Sequence, residues 1–561
     1  MKTTAVVVTL LGAARAALPI VDLGYELHQA SSFNETGRFY NFSNIRFAAP
    51  PVGELRFAVP QAPAENRSTI NKGDVGRICP QAAPAWNSDA VDFLTSILLG
   101  QPNNQTTEYV PPPVNGSDPV PDQDPRTNED CLFLDVFVPE NVLNSAGNGS
   151  GAAVLVWIYG GGYTLGEKAN VAFKPAGLLA ASGNVSDGNI IYVAMNYRLG
   201  ALGWSPGPKF QGEGGTSNLG LYDQRFALEW VQKYIHQFGG DPSQVTVLGE
   251  SAGGGSIMHQ ITAYGGSQGP APFQRAITQS PGFDPVTPSQ QQDGTFQKFL
   301  DLANATSLAE LRALPADQLI RANFWQVYAS PYGQYTYGPV VDGSFVPAQA
   351  AALLGSGRFD KNVSVIVGHN SNEGIYFTEP SISTDADIDT ALLSLFPTIS
   401  NASLNYLTTV LYPPVFNGSY PYTSQTTRAS LITSEVIFLC NTNYLDRAFD
   451  NKTYAYLFAI APAFHGDDVA FTYYDGGAVS NVPTQMTNAT VALALQDIIT
   501  SFALRGKPEA VAEGVTEFPQ YGDEANILVL NDTGIALEAP DPTSTERCLW
   551  WQDFLTNELK S

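Results

Sequence analysis

Positive charge is what this chain of 561 residues has least of. Its 28 lysines and arginines face 53 aspartates and glutamates, a formal net charge of −25 at pH 7. A surface of that sign repels nucleic-acid backbones and anionic lipid headgroups before contact, which argues against nucleic acid and acidic membranes as partners. Cysteine is scarce as well. The four, Cys79, Cys131, Cys440 and Cys548, include no C-x-x-C pair, so their spacing suggests no zinc or dithiol redox centre. After the N-terminal leader no apolar run reaches spanning length, and the polar ending "FLTNELKS" has neither an anchor tail nor a retention signal, so no stable membrane insertion is expected. Histidine occurs five times, at His28, His236, His259, His369 and His465, which shortens any search for a general base. Repeats and dividing linkers are missing too.

What is present fits an extracellular protein. Residues 1–17 begin with Lys2, run through an apolar core from Ala5 to Ala14 and end in "ARAA", the pattern of a cleaved signal peptide. Fourteen N-x-S/T sequons, at Asn34, Asn41, Asn66, Asn104, Asn115, Asn148, Asn184, Asn304, Asn362, Asn401, Asn417, Asn451, Asn488 and Asn531, suit a secreted glycoprotein. Four cysteines in an oxidising compartment suit two disulfides, for which sequence alone allows three pairings. With 44% hydrophobic residues the chain can bury a large core. Strands alternate with helical stretches such as "DQRFALEWVQKYIHQF", which predicts an α/β fold around a large, mostly parallel sheet. The chemical motifs below spread from residue 160 to 465, so residues 18–561 read as a single domain.

The densest chemistry lies in "VTVLGESAGGGS", residues 245–256. Val245, Val247 and Leu248 favour a buried strand, and Gly249-Glu250-Ser251-Ala252-Gly253 reads as G-x-S-x-G. A sharp strand-to-helix turn there would strain the serine backbone and push its hydroxyl outward, and side chains at the two flanking glycines would collide with neighbouring backbone. Ile257 to Ile261 suggest the helix that follows. Such a serine needs a base, an acid that orients the base, and donors for an oxyanion. In this fold type the chain order is serine, acid, histidine, which leaves His369 and His465 as bases. Each follows a β-rich run: "NVSVIVGHNSNEG" also holds Glu373, and "YAYLFAIAPAFHGDD" holds His465. His369 precedes Glu373 and would need an earlier acid such as Asp342. For the oxyanion, "AVLVWIYGGGYTLG" ends a strand in Gly160-Gly161-Gly162, whose backbone N–H groups could point into the site beside that of Ala252.

At this point the chain resembles the type-B carboxylesterase/lipase family of α/β-hydrolases, which includes cholinesterases and fungal lipases. The likeness is carried by "RFAAPPVGELRF", "EDCLFLDVFVP", "WIYGGG", "NYRLGALGW", "SNLGLYDQRFALEWVQKYIHQFGGDPSQVTVLGESAGG", "GPVVDG", "NEG" and "HGDD", which span nearly the whole mature chain. The resemblance implies Ser251 as nucleophile, Glu373 as acid and His465 as base. It implies Gly161, Gly162 and Ala252 as oxyanion donors, with no cofactor. It demotes His369, and His236 and His259 read as surface or packing residues. It also implies the pairings Cys79–Cys131 and Cys440–Cys548. The substrate expected is a small-molecule or lipid ester, cleaved through an acyl-enzyme.

The alternative is a cholinesterase-like binding or adhesion protein that keeps the fold without the chemistry. Such relatives commonly lack a member of the triad, whereas every member is present here. A choline-binding role is not carried onto Trp86, which follows Cys79 too closely for the cholinesterase pattern. Likeness to fungal lipases suggests a lid within 80–130, where "SDAVDFLTSILLGQ" predicts a short amphipathic helix. Asp89 would be its N-cap, with Val91, Leu94, Ile97 and Leu98 apolar, ahead of the proline-rich connector "YVPPPVNGSDPVPDQDP".

Overall fold

Seven apolar runs in this sequence are buried on both faces, as strands of a parallel sheet must be when helices cover each side. Ala152–Ile158, Ile191–Met195 and Tyr454–Phe458 are buried almost end to end. The computed structural model of the chain describes residues 17–184, 188–284, 288–477, 488–509 and 517–559; most of the leader read at 1–17 lies outside them.

Those strands belong to an eleven-stranded sheet. From Ile527–Asn531 through Tyr454–Phe458, Ser364–Asn370, Arg275–Gln279, Gly240–Glu250 and Ala152–Ile158 to Ile191–Met195, every neighbouring pair is parallel. Antiparallel strands extend both edges, with Gly534–Glu538 on one side and Phe133–Pro139, Phe39–Arg46 and Ser32–Asn34 on the other. A separate three-stranded sheet joins Ile20–Asp22, Glu26–Gln29 and Asn66–Asn71.

Register decides what the sheet presents. Ile158 pairs with Gly249, Glu250 with Gln279, Gln279 with Gly368 and Asn370 with Phe458, so the carboxyl ends of five strands meet along one edge. The chain segments that leave this edge start at Tyr159, Ser251, Ser280, Ser371 and Ala459. In open α/β sheets ligands bind there. One apolar cluster runs from Val21 to Leu555, and a satellite of Phe93, Leu94, Ile375 and Phe464 lies apart from it.

Disulfides join Cys79 to Cys131 and Cys440 to Cys548, with sequence separations of 52 and 108. Inside the first loop the helix spans Trp86–Leu98. Asp89 is not its N-cap, a correction to the sequence reading: the helix starts four residues earlier, Ala85 holds the N-cap position with no side-chain bond, and Asp89 sits in the first turn. The earlier start follows from Trp86, which is fully buried, donates its Nε1–H to the carbonyl of Gln334 at 2.8 Å and so anchors the first turn. The proline-rich stretch after the helix forms no regular element.

Candidate active site

The strand Gly240–Glu250 and the helix Ala252–Ile261 meet at Ser251, whose backbone is held at φ 57° and ψ −124°. Small residues around it are a steric requirement. A Cβ on Gly253 would lie 2.0 Å from the carbonyl oxygen of Ile158, and one on Gly249 would lie 2.7 Å from the Gly253 carbonyl carbon. The turn therefore exists only with glycine at both positions, and it leaves the Ser251 hydroxyl facing the sheet edge.

Two further strand ends bring the partners. His465, seven residues beyond the strand Tyr454–Phe458, places Nε2 at 2.8 Å from Ser251 Oγ. Its Nδ1 lies 2.5 Å from Oε2 of Glu373, which follows the strand Ser364–Asn370. Glu373 is fully buried, and its other oxygen accepts from Ser280 Oγ at 2.7 Å and from the Asn370 N–H at 2.5 Å. Burial alone would raise this carboxyl. The His465 charge and these hydrogen bonds outweigh it and hold Glu373 below its usual range. Burial likewise opposes charge on His465, but the carboxylates of Glu373 and Glu250 hold the imidazole above its ordinary value.

Gly160-Gly161-Gly162 follow the strand Ala152–Ile158. Gly162 has φ 58°, and a Cβ there would lie 2.4 Å from the Tyr335 ring, so only glycine fits. Gly162 and Ala252 line the same small cavity as Ser251, about 30 Å³ in volume. Among the described turn, loop and cap hydrogen bonds none uses the N–H of Gly161, Gly162 or Ala252, so these donors are free to bind.

The remaining histidines fall elsewhere. His369 lies within the strand Ser364–Asn370, buried, with neither ring nitrogen hydrogen-bonded. Asp342, its acid by sequence, accepts instead from Asn218 Nδ2 at 2.8 Å. His259 is buried in the helix after Ser251, where desolvation lowers its pKa to about 3, and His236 lies in the short 3₁₀ turn Ile235–Phe238. Trp86 packs against Tyr332, Tyr335, Tyr376 and Phe377, behind the cavity wall.

Sequence reasoning missed several residues. Ser280 and Asn370 fix Glu373; Ser280 directly follows the strand Arg275–Gln279, so its place at a strand end was the signal that could have found it, but nothing in the sequence marks its hydroxyl. Glu250, inside the recognised pentapeptide, places Oε1 at 3.3 Å from His465 Nε2, and burial pushes its carboxyl to about 8. The cavity walls come from Tyr163, Phe283, Asp284, Tyr335, Phe377 and Phe438, which lie far apart in sequence. Phe438 belongs to the π-helical turn Glu435–Leu439, an irregularity that propensity does not foretell.

The arrangement, a hydroxyl, an imidazole and a buried carboxylate in series beside free N–H donors, can carry out acyl transfer. Among the described residues no group of three metal-ligating side chains forms a metal site, and no helix is long and apolar enough to cross a membrane. A model of the carboxylesterase family matches residues 28–551. The carboxylesterase patB of Penicillium expansum is 44% identical over 552 residues, covering 96% of either chain. A secreted lipase of Arthroderma benhamiae is 32% identical over 482 residues, covering 81% of this chain and 89% of its own. The crystal structure of Aspergillus niger EstA superposes with a TM-score of 0.78 at 26% identity, over 96% of this chain and 99% of that one.

Proposed function

The chain belongs to the carboxylesterase family and is a carboxylic ester hydrolase, and from that premise we propose that it works through Ser251, His465 and Glu373 by an acyl-enzyme route. The observation that carries the proposal is the unbroken series Ser251 Oγ, His465 and Glu373 at 2.8 and 2.5 Å. His465 Nε2 takes the hydroxyl proton as Oγ attacks the ester carbonyl. The tetrahedral oxyanion is bound by the N–H groups of Gly161, Gly162 and Ala252. Collapse breaks the bond to the alcohol oxygen, which takes the proton from His465 and leaves. Water then repeats the cycle: His465 removes its proton, the acid is released and Ser251 is restored. Glu373 keeps Nδ1 protonated and stabilises the imidazolium, and Ser280 and the Asn370 N–H hold the carboxylate in place.

The binding-protein alternative has no support in this geometry, because a chain without the chemistry need not keep the triad aligned. Residues 18–561 act as one catalytic domain, supported by the single main core and by a site drawn from strand ends across the sheet. Secretion is supported by the leader pattern and by relatives named as secreted lipases. The test is hydrolysis of p-nitrophenyl butyrate by the wild type and by Ser251→Ala. Turnover should fall by at least about 10⁴-fold with the thermal unfolding transition kept, and a variant that retains more than about a tenth of the activity removes Ser251 from the mechanism.

A further inference from the structure

One acidic side chain in the cavity has no part in acyl transfer. After the strand Arg275–Gln279 the chain passes Ser280, which holds Glu373, and is then tied to the nucleophile: the Gly282 N–H donates to the Ser251 carbonyl at 3.0 Å. The Gly282 carbonyl accepts from Tyr163 Oη at 2.8 Å. These bonds fix the segment against both the elbow and the glycine loop, so the residues that follow have a defined place. Phe283 and Asp284 line the cavity with Ser251, Gly162 and Ala252. Every other side chain on that wall is aromatic or aliphatic: Tyr163, Tyr335, Tyr337, Phe377, Ile437 and Phe438. A carboxylate among rings is costly unless it has a partner. The Tyr335 N–H donates to it, and among the described residues no lysine, arginine or histidine is ion-paired with it. Desolvation raises its pKa to about 6. A pocket meant only for hydrocarbon would be better served by leucine at this position.

We propose that Asp284 is a specificity-determining residue that accepts a hydrogen bond from a substrate hydroxyl near the scissile ester, so that this site prefers short hydroxylated esters to plain acyl esters. The inference rests on Ser251 being the nucleophile, since it places the hydroxyl relative to the attacked carbonyl. Size agrees for the group that would reach Asp284: the cavity beside Ser251, about 30 Å³, suits a short hydroxylated branch. A hydroxyl is assigned over an ammonium group because an ammonium has three N–H donors to satisfy, and this ring-lined wall offers Asp284 as its one charged acceptor.

The test compares the full-length enzyme with Asp284→Leu and Asp284→Asn on ethyl butanoate, ethyl 3-hydroxybutanoate, 2-hydroxyethyl butanoate and 2-aminoethyl butanoate, by pH-stat. Labelling of Ser251 by a small fluorophosphonate is measured in parallel. The wild type should prefer at least one hydroxylated ester over ethyl butanoate. Asp284→Leu should lose about 10- to 100-fold more kcat/KM on that ester than on ethyl butanoate. Asp284→Asn, which keeps an acceptor oxygen in the same shape, should lose less. Equal changes on hydroxylated and plain esters, with Ser251 labelling intact, overturn the role of Asp284 and leave the nucleophile assignment standing. A preference for the aminoethyl ester that disappears in Asp284→Leu overturns the hydroxyl assignment. Failure of Ser251 to label in the wild type is a different result, which removes the nucleophile itself.

Discussion

His369 and His465 both lie near strand ends that are neighbours in the sheet, yet only one of them faces the serine. His369 is still inside its strand, paired in register with Leu457, so its ring is buried where no polar group reaches it. His465 lies beyond its strand, on a turn free to reach back over the edge. His465→Ala should therefore reduce kcat on p-nitrophenyl butyrate by at least about 10³-fold, and His369→Ala should change it less than tenfold while lowering stability; steady-state rates and thermal melts on both variants check this. The proposed nucleophile, acid and base, Ser251, Glu373 and His465, could be picked out as candidates because each sits in a contiguous motif at a strand end. Ser280, Glu250 and Asp284 were not, because their importance comes from what lies beside them across the fold, and single-sequence spacing holds no record of that.

The helix Trp86–Leu98 and the nucleophile elbow show how much an element depends on its packing. Periodicity anticipated an amphipathic helix but not which face is inward: Phe93 and Leu94 are buried against Ile375 and Phe464, while Val91 and Leu98 are exposed. Ile375 is two residues from Glu373 and Phe464 directly precedes His465, so the inward face buttresses the triad. Leu94→Ser should consequently depress hydrolysis of soluble and emulsified esters alike. Leu98→Ser should leave soluble esters untouched, and a selective loss on emulsified long-chain esters in that variant would show the helix acting as a lid. At the elbow, Gly253→Ala should cost at least about 1–3 kcal/mol and most of the activity, because its Cβ would lie 2.0 Å from the Ile158 oxygen. Gly212→Ala, with nothing within 4 Å of the new Cβ, should cost almost nothing by the same denaturant titration.

Across the whole molecule the buried titratable groups set how stability varies with pH. Burial raises the Glu250 carboxyl to about 8 and pushes Asp446 well above its ordinary value, while carboxylates hold His465 up despite its burial. Each binds a proton more tightly folded than unfolded, so each loses stabilisation as pH rises, by about 1.4 kcal/mol per pH unit per proton. The buried neutral rings of His259 and His369 act oppositely, but only below about pH 6.5, where the unfolded chain begins to charge them. The melting temperature should accordingly fall between pH 6.5 and 8.5 at fixed ionic strength, and Glu250→Gln should flatten that slope; a rising profile contradicts the account. Chain-entropy reasoning gives the disulfides about 4 and about 5 kcal/mol for separations of 52 and 108, so reduction should lower the melting temperature further. The sheet, its helices and both pairings were legible in pattern and resemblance, whereas the cavity walls depend on irregular segments such as Glu435–Leu439. Everything assigned to this molecule rests on a single activated serine in a chain rich in hydroxyls. The most direct test is the intact mass of the wild type after reaction with a fluorophosphonate, followed by peptide mapping. The account predicts one adduct per chain, carried by the peptide that contains Ser251 and absent in Ser251→Ala; an adduct on any other residue, or none while hydrolysis proceeds, would contradict it.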